Sequence, residues 1–243
     1  LVYIILALTF GYTLIMAETS LGRMTRKSPV GAFGNFGKSR FISLGGWINA
    51  IIPILIVPYY SVIGGWVIKY LIEYFSGHSK ALAGDTYFTS FISNGISTEI
   101  CFLIFTLFTL GIIYAGVRNG IERVSKFMMP ILIVLSLIIA VYSVTRPGAI
   151  EGVKYFLVPN FEHFSWMTVV SAMGQMFYSL SIAMGILITF GSYMKKDTSI
   201  EKSTENVEIF DTAIAIMAGL MIIPAVFAFS GGDAATLKSG PAL

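Results

Sequence analysis

The sequence predicts an all-α membrane protein that crosses the bilayer several times. Its 243 residues are 56% hydrophobic and only 12% charged, about half the charge of an ordinary soluble domain. The mean hydropathy is +0.80, and the polar residues cluster between long apolar stretches. Six of those stretches approach or exceed the roughly 20 residues that a spanning helix needs, and no strand-like alternation competes with the helical reading.

The spans cover residues 1–21, 44–75, 99–117, 125–145, 166–194 and 207–230, and together form one transmembrane domain over 1–243. The first begins at Leu1 already in apolar, helix-like sequence, without a cap, a preceding loop or an initial Met. The last residues, "KSGPAL", stop just after the sixth span. The expectation is an internal piece of a larger membrane protein. In the second span, Pro53 and Pro58 predict a loosened helix, and Tyr60 lies close to mid-depth. Aromatic belts place tyrosines at the ends of spans, so this phenol needs another partner: a neighbouring helix or a ligand. The third span holds Cys101, the only cysteine, which excludes an internal disulfide.

The fifth span contains "FYSLSIAMG", residues 177–185, where small and hydroxyl residues gather at membrane depth. A small-residue packing face is one reading. However, Ser179 and Ser181 are two apart and so lie on different faces of a helix, and Gly185 and Gly191 add further weak points. A discontinuous helix that turns its carbonyls towards a small cation and a polar substrate fits better. In the sixth span, Asp211 reads either as an acid near a helix N-terminus, like Glu205 and Glu208 before it, or as a functional charge. Glu18, near the end of the first span, reads either as an interfacial residue close to Arg23 or as functional. The links between spans carry Ser28-Pro29, Gly84-Asp85, Asn94-Gly95 and Arg146-Pro147-Gly148, all turn signals.

Charge placement orients the spans. Arg23, Arg26, Lys27, Lys38 and Arg40, then Arg118, Arg123 and Lys126, then Lys195, Lys196 and Lys202 fall on one side, eleven of the chain's 16 cations. By the positive-inside rule, loops 22–43, 118–124 and 195–206 are cytoplasmic. The pI near 8.9 is thus a topology signal, and no nucleic-acid partner is expected. "AFGNFGKS", residues 32–39, approaches a phosphate-binding loop, but it lies between membrane spans and Ala32 replaces the first glycine. His78 and His163 are far apart in outer loops, with no ligand cluster around either.

Several stretches resemble the neurotransmitter:sodium symporter family, particularly its bacterial amino-acid transporters. "MAETSLGR" is similar to the end of the family's second helix and "VPYYSVIGGW" to its third. "GIERVSKFMMP" with "RPGAIEGVKYFLVPNF" resembles the fourth loop, fifth helix and following outer loop. "GQMFYSLSIAMGILITFGSYMKKD" resembles the broken sixth helix most specifically, and "DTAIAIMAGLMIIPAVFAF" the seventh. The resemblance implies helices two to seven of a twelve-helix, inverted-repeat transporter, with helix one and helix eight onward supplied by the rest of the full-length chain. It also implies a transporter rather than an enzyme. Its partners would be the lipid bilayer, sodium as the co-transported ion and an amino-acid substrate, with no organic cofactor.

The family's roles fall on particular residues. Tyr60 matches the tyrosine that holds the substrate carboxylate, and Ile56 an apolar wall residue one turn earlier. Tyr178 falls where a gating phenylalanine is usual, Ser181 lies at the unwound backbone, and Met184 replaces an aromatic pocket residue. Ser179 matches a ligand of the first sodium, and Asp211 stands in the place of an asparagine that also ligates it. Tyr3, Gln175 and Ser179 match positions that surround chloride in animal members, and Ala215 replaces a serine there. Glu18 matches an acid that holds the broken helices together, and Ala183 replaces a glycine at the break.

The resemblance therefore implies chloride-independent symport of a neutral amino acid. A large apolar or aromatic one is expected, because none of the wall residues present could face a charged side chain. Two alternatives stay open: a proton-coupled or exchanging transporter of the same fold, or a membrane-embedded enzyme using Glu18 and Asp211 as an acid–base pair.

Overall fold

In the computed structural model the described residues are 1–230, apart from Lys38, Ala83, Asp85, Asn160, Glu162 and His163. The expectations placed on Lys38, Asp85, His163 and residues 238–243 lie outside them. The described residues are helical and include no strand. Five helical stretches among them are long and apolar enough to cross a membrane: Val2–Thr25, Arg40–Phe75, Gly95–Tyr114, Asn119–Val144 and Ile200–Ser230.

The first stretch joins α1 (Val2–Leu6), a π-helical turn (Ala7–Gly11) and α2 (Tyr12–Thr25). The wider turn has a local cause. The Thr9 hydroxyl donates to the Ile5 carbonyl at 2.7 Å, and Thr13 donates to the Thr9 carbonyl at 2.9 Å. Such back-bonding competes with the helical ladder and bends it. Arg26, in the left-handed region at φ 54°, ends α2. Pro29 then opens the short α3 (Pro29–Gly34), where a missing N–H costs nothing.

After α3 comes α4 (Arg40–Phe75), which continues through Pro53 and Pro58. Neither proline ends the helix. Membrane helices absorb proline by small adjustments that re-satisfy the freed carbonyls. Short α5 (Ser79–Leu82) and α6 (Tyr87–Ser93) lead to α7 (Gly95–Tyr114), capped by the Asn94 side chain, which accepts from the Ser97 N–H at 3.1 Å. A second π-helical turn (Val117–Glu122) precedes α8 (Arg123–Val144), and α9 (Ala149–Leu157) follows.

The fifth predicted span is two helices, α10 (Trp166–Ser179) and α11 (Ile186–Tyr193), followed by α12 (Ile200–Ser230). The sixth span therefore starts well before residue 207. Its charged first turns read as loop in the hydropathy pattern, yet Glu201 sits in the first turn of α12, where the dipole favours acids.

Contacts divide the described residues into two compact units, one of residues 1–53 and 135–230, the other Ile54–Val134. In the first, Leu6, Ala7, Ile15, Met176, Leu180 and Ile182 form the apolar core. Here α2 and α11 cross at close range: Gly22 lies against the Ile188 carbonyl and Gly191 against that of Thr19. A Cβ on either glycine would collide with backbone. Lipid tails leave little apolar driving force between helices, so close approach of small residues supplies packing instead. Likewise α9 packs on α12 through Gly152 at Pro224, and the Ser143 hydroxyl donates to the Met221 carbonyl at 2.7 Å.

In the second unit, Gly64 and Gly65 let Phe105 and Phe102 pack against α4, while Trp66 meets Phe88 edge-on at 5.1 Å. Glu73 accepts from Lys69 at 2.6 Å and pairs with His78 Nδ1 at 2.8 Å. His78 is an exposed loop residue, as its place between spans predicts, and it also pairs with this carboxylate. The five-residue offset from Glu73 brings it back over the end of α4.

Candidate functional site

Residues 180–185 separate α10 from α11, and their conformation alternates. Leu180 and Ile182 are 3% and 2% exposed and anchor in the core. Between and after them, Ser181, Ala183 and Gly185 adopt φ of 55°, 60° and 69°. Left-handed backbone costs a non-glycine residue about 1–2 kcal/mol, so Ser181 and Ala183 are held there by their surroundings. The turn is closed by the N–H groups of Leu180, Ser181 and Ile182, which donate to the carbonyls of Met176, Tyr178 and Phe177 at 3.0, 3.3 and 2.9 Å. Gly185 is required by space as well as by φ, because a Cβ there would lie 2.6 Å from Pro29 Cγ.

One carboxylate holds the backbone of this break and another holds the residue just before it. The Ala183 N–H donates to Glu18 Oε1 at 2.7 Å, while Glu18 Oε2 is buried with no hydrogen-bond partner. Glu18 thus ties α2 to the unwound backbone. At the other end, the Ser179 hydroxyl lies 2.9 Å from both Asp211 oxygens, and the Tyr3 hydroxyl donates to Asp211 Oδ2 at 2.9 Å. Asp211 thus joins α12 to the last residue of α10 and to α1. Neither carboxylate is hydrogen-bonded to the other among the described residues.

Gln175 stands one turn before Ser179 on α10, and Ala215 one turn after Asp211 on α12. Both are exposed. Tyr178 is exposed beside Ser179. Met184 lines a cavity of about 290 Å³ with Pro29, Asn49, Pro53, Ile186 and Phe190. Ile56 and Tyr60 lie one turn apart on α4, within the second unit, and the Tyr60 ring meets that of Tyr59 edge-on at 6.0 Å. Ala32–Gly34 of the glycine-rich stretch are part of α3, with no strand before them among the described residues.

Sequence reasoning missed several features. The dipole reading of Glu208 fails, because it lies two turns into α12, beyond the first turn where the dipole acts. It is 4% exposed, with Oε1 buried and unpartnered. The cations of the first loop also do more than orient the chain: Arg26 donates to the Ser192 carbonyl at 2.9 Å and Arg23 to that of Thr198. They cap the last carbonyls of α11 and its following turn, as cations favour at a helix C-terminus.

Comparison with known proteins supplies an independent finding. A sequence model described as the Sodium:neurotransmitter symporter family matches residues 89–237. The chain is 34% identical over 232 residues to an uncharacterized sodium-dependent transporter, YhdH, of Bacillus subtilis, covering 94% of this chain and 51% of that protein. An uncharacterized sodium-dependent transporter of Haemophilus influenzae is 32% identical over 243 residues, covering 94% of this chain and 53% of that protein. Among solved structures, the crystal structure of MhsT in complex with L-phenylalanine is similar with a TM-score of 0.87 and 35% identity, over 94% of this chain and 53% of that one. The chain spans about half the length of the curated relatives it matches.

Proposed function

The chain belongs to the sodium:neurotransmitter symporter family, a family of multi-pass membrane proteins, and from that premise we propose that it is the part of a sodium-coupled amino-acid symporter that holds the broken helix. The substrate we infer is neutral, with a large apolar or aromatic side chain, and transport needs no chloride. The observation that carries this reading is the Asp211 carboxylate, held by the Ser179 and Tyr3 hydroxyls where α10 ends.

Sodium is a hard cation that takes oxygen ligands. Ser179 and Asp211 bring hydroxyl and carboxylate oxygens together, and the C-terminus of α10 adds the negative end of its dipole. The N-terminus of α11, by the same logic, favours the substrate carboxylate. Tyr60 and Ile56 are assigned to the carboxylate and the apolar wall of the substrate on the strength of the family pattern, with Tyr178, Ser181 and Met184 around the remainder.

Asp211 also supports chloride independence. A fixed carboxylate already occupies the hydroxyl donors of Tyr3 and Ser179, two of the positions that match the chloride surround. Ala215 offers no hydroxyl to a second anion. An anion about 4 Å from an ionised Asp211 would be repelled by roughly 4 kcal/mol at an effective dielectric near 20.

The direct test is uptake of radiolabelled phenylalanine by the full-length protein in liposomes, with and without an inward sodium gradient and with gluconate replacing chloride. Uptake should follow sodium and ignore chloride. Uptake driven equally well by a proton gradient alone would overturn the coupling, and conversion of the substrate would favour the enzyme reading.

A further inference from the structure

We propose that the groove between the first helical stretch and α12 is a second ligand site, for a cationic amphiphile: a protonated amine on an apolar body that carries no acid group. The groove encloses about 640 Å³, within the usual range for small-molecule sites. Ile4 and Leu8 form one wall, and Ile209, Ala213 and Ile216 the other. On α12 these last residues, with Glu205 and Glu208, follow the i, i+4 spacing of one helix face. Asp211 lies off that stripe.

The groove is acidic at one end only, and Thr212 adds a hydroxyl one turn further along. Glu205, Glu208 and Tyr12 line that end, and no basic side chain lines any part of it. Glu208 is the decisive residue. It is 4% exposed, faces the groove, and its Oε1 is buried without a partner. One turn earlier, the Thr204 hydroxyl is also buried without a partner, at 1% exposure. An ionisable group at this depth is costly unless paired, and no ion pair reaches Glu205 or Glu208 among the described residues. Charge complementarity therefore selects a cation, and the apolar walls select what it is attached to. From Glu208 to Ile216 the stripe runs about 12 Å, the reach of an aryl-alkyl chain. An amino-acid zwitterion would set its own carboxylate against Glu208, and a phospholipid would set its phosphate there. Both are disfavoured, so this site is distinct in chemistry from the transport site.

The test is titration calorimetry of 4-phenylbutylamine and its neutral analogue 4-phenyl-1-butanol. The full-length protein would be used in nanodiscs, with empty nanodiscs subtracted. The amine should bind saturably and more tightly than the alcohol. Glu208→Gln should weaken the amine roughly ten- to a hundredfold, the scale of a lost charge-assisted hydrogen bond, and leave the alcohol unchanged. Ala213→Trp, made at an exposed position, should fill the groove and remove both, which keeps the proposal testable if Glu208→Gln does not fold. Equal affinity for amine and alcohol, an isotherm indifferent to both variants, or no saturable binding because another part of the protein covers the groove would each overturn it.

Discussion

Asp211→Asn isolates the charge at the end of α10 with little change of shape. The substitution keeps an acceptor for the Ser179 and Tyr3 hydroxyls, which lie 2.9 Å away in the native protein, and removes one unit of negative charge. An ionised carboxylate about 4 Å from sodium contributes roughly 4 kcal/mol at an effective dielectric near 20, close to three orders of magnitude in affinity. The asparagine carbonyl recovers part of that. The sodium concentration for half-maximal uptake should therefore rise about ten- to a hundredfold when gluconate is the only anion. Adding Ala215→Ser places a hydroxyl one turn away, so chloride should then restore part of the sodium affinity that it leaves untouched in the parent. The assay is substrate uptake by the full-length protein across a sodium series, in chloride and in gluconate. Strong chloride dependence of the parent, or an unchanged sodium series in Asp211→Asn, would refute the reasoning.

Four further outcomes follow from the same geometry. Glu18→Ala leaves the Ala183 N–H without its acceptor and should cost about 1–3 kcal/mol, read as a lower midpoint for thermal exposure of buried Cys101 to a thiol dye; Glu18→Gln, which keeps an acceptor, should cost less. Gly22→Ala sets a methyl against the Ile188 carbonyl and should abolish folded protein on size exclusion. Gly11→Ala would press on the tip of the Leu180 side chain rather than on backbone and should cost less. Met184→Phe replaces an adaptable thioether with a rigid ring and should weaken competition by tryptophan more than by alanine; an equal loss for both would show that Met184 does not shape the pocket.

How much of this was legible beforehand depended on the kind of signal. Spans announce themselves because lipid demands about 20 apolar residues in a row, and the break at 177–185 was legible because serines and glycine interrupt such a run. The pairing of Ser179 with Asp211 could not be read from composition or spacing, since 32 residues separate them; the family pattern placed them together at one sodium site. Glu208 was misread because its neighbours are acidic and near a helix start. Only the packing of α12 on α2 shows that this one faces inward. The π-helical turn left a fainter trace in Thr9 and Thr13, whose hydroxyls reach back along the helix. Pro53 and Pro58 end no helix, because the rule that breaks soluble helices is relaxed in membranes.

Glu18 and the glycine crossing also explain how a strained break survives in lipid. In water, burying Leu180 and Ile182 would by itself stabilise the turn. In a bilayer that gain largely vanishes, because lipid tails are as apolar as the core they would join. Holding Ser181 and Ala183 in the left-handed region at about 1–2 kcal/mol each must then fall to polar contacts and close packing. The Glu18 bond to the Ala183 N–H acts on the strained backbone itself, and the glycine crossing of α2 and α11 fixes the helix that follows. Asp211 acts one turn away, on the Ser179 side chain rather than on the break. Neutralising Asp211 should therefore weaken sodium coupling while the broken helix keeps its shape, whereas truncating Glu18 should loosen the break whether or not sodium is bound. A thermal series with and without sodium separates the two. The Glu18→Ala deficit should persist in both, and the Asp211→Asn deficit should be larger where sodium stabilises the parent.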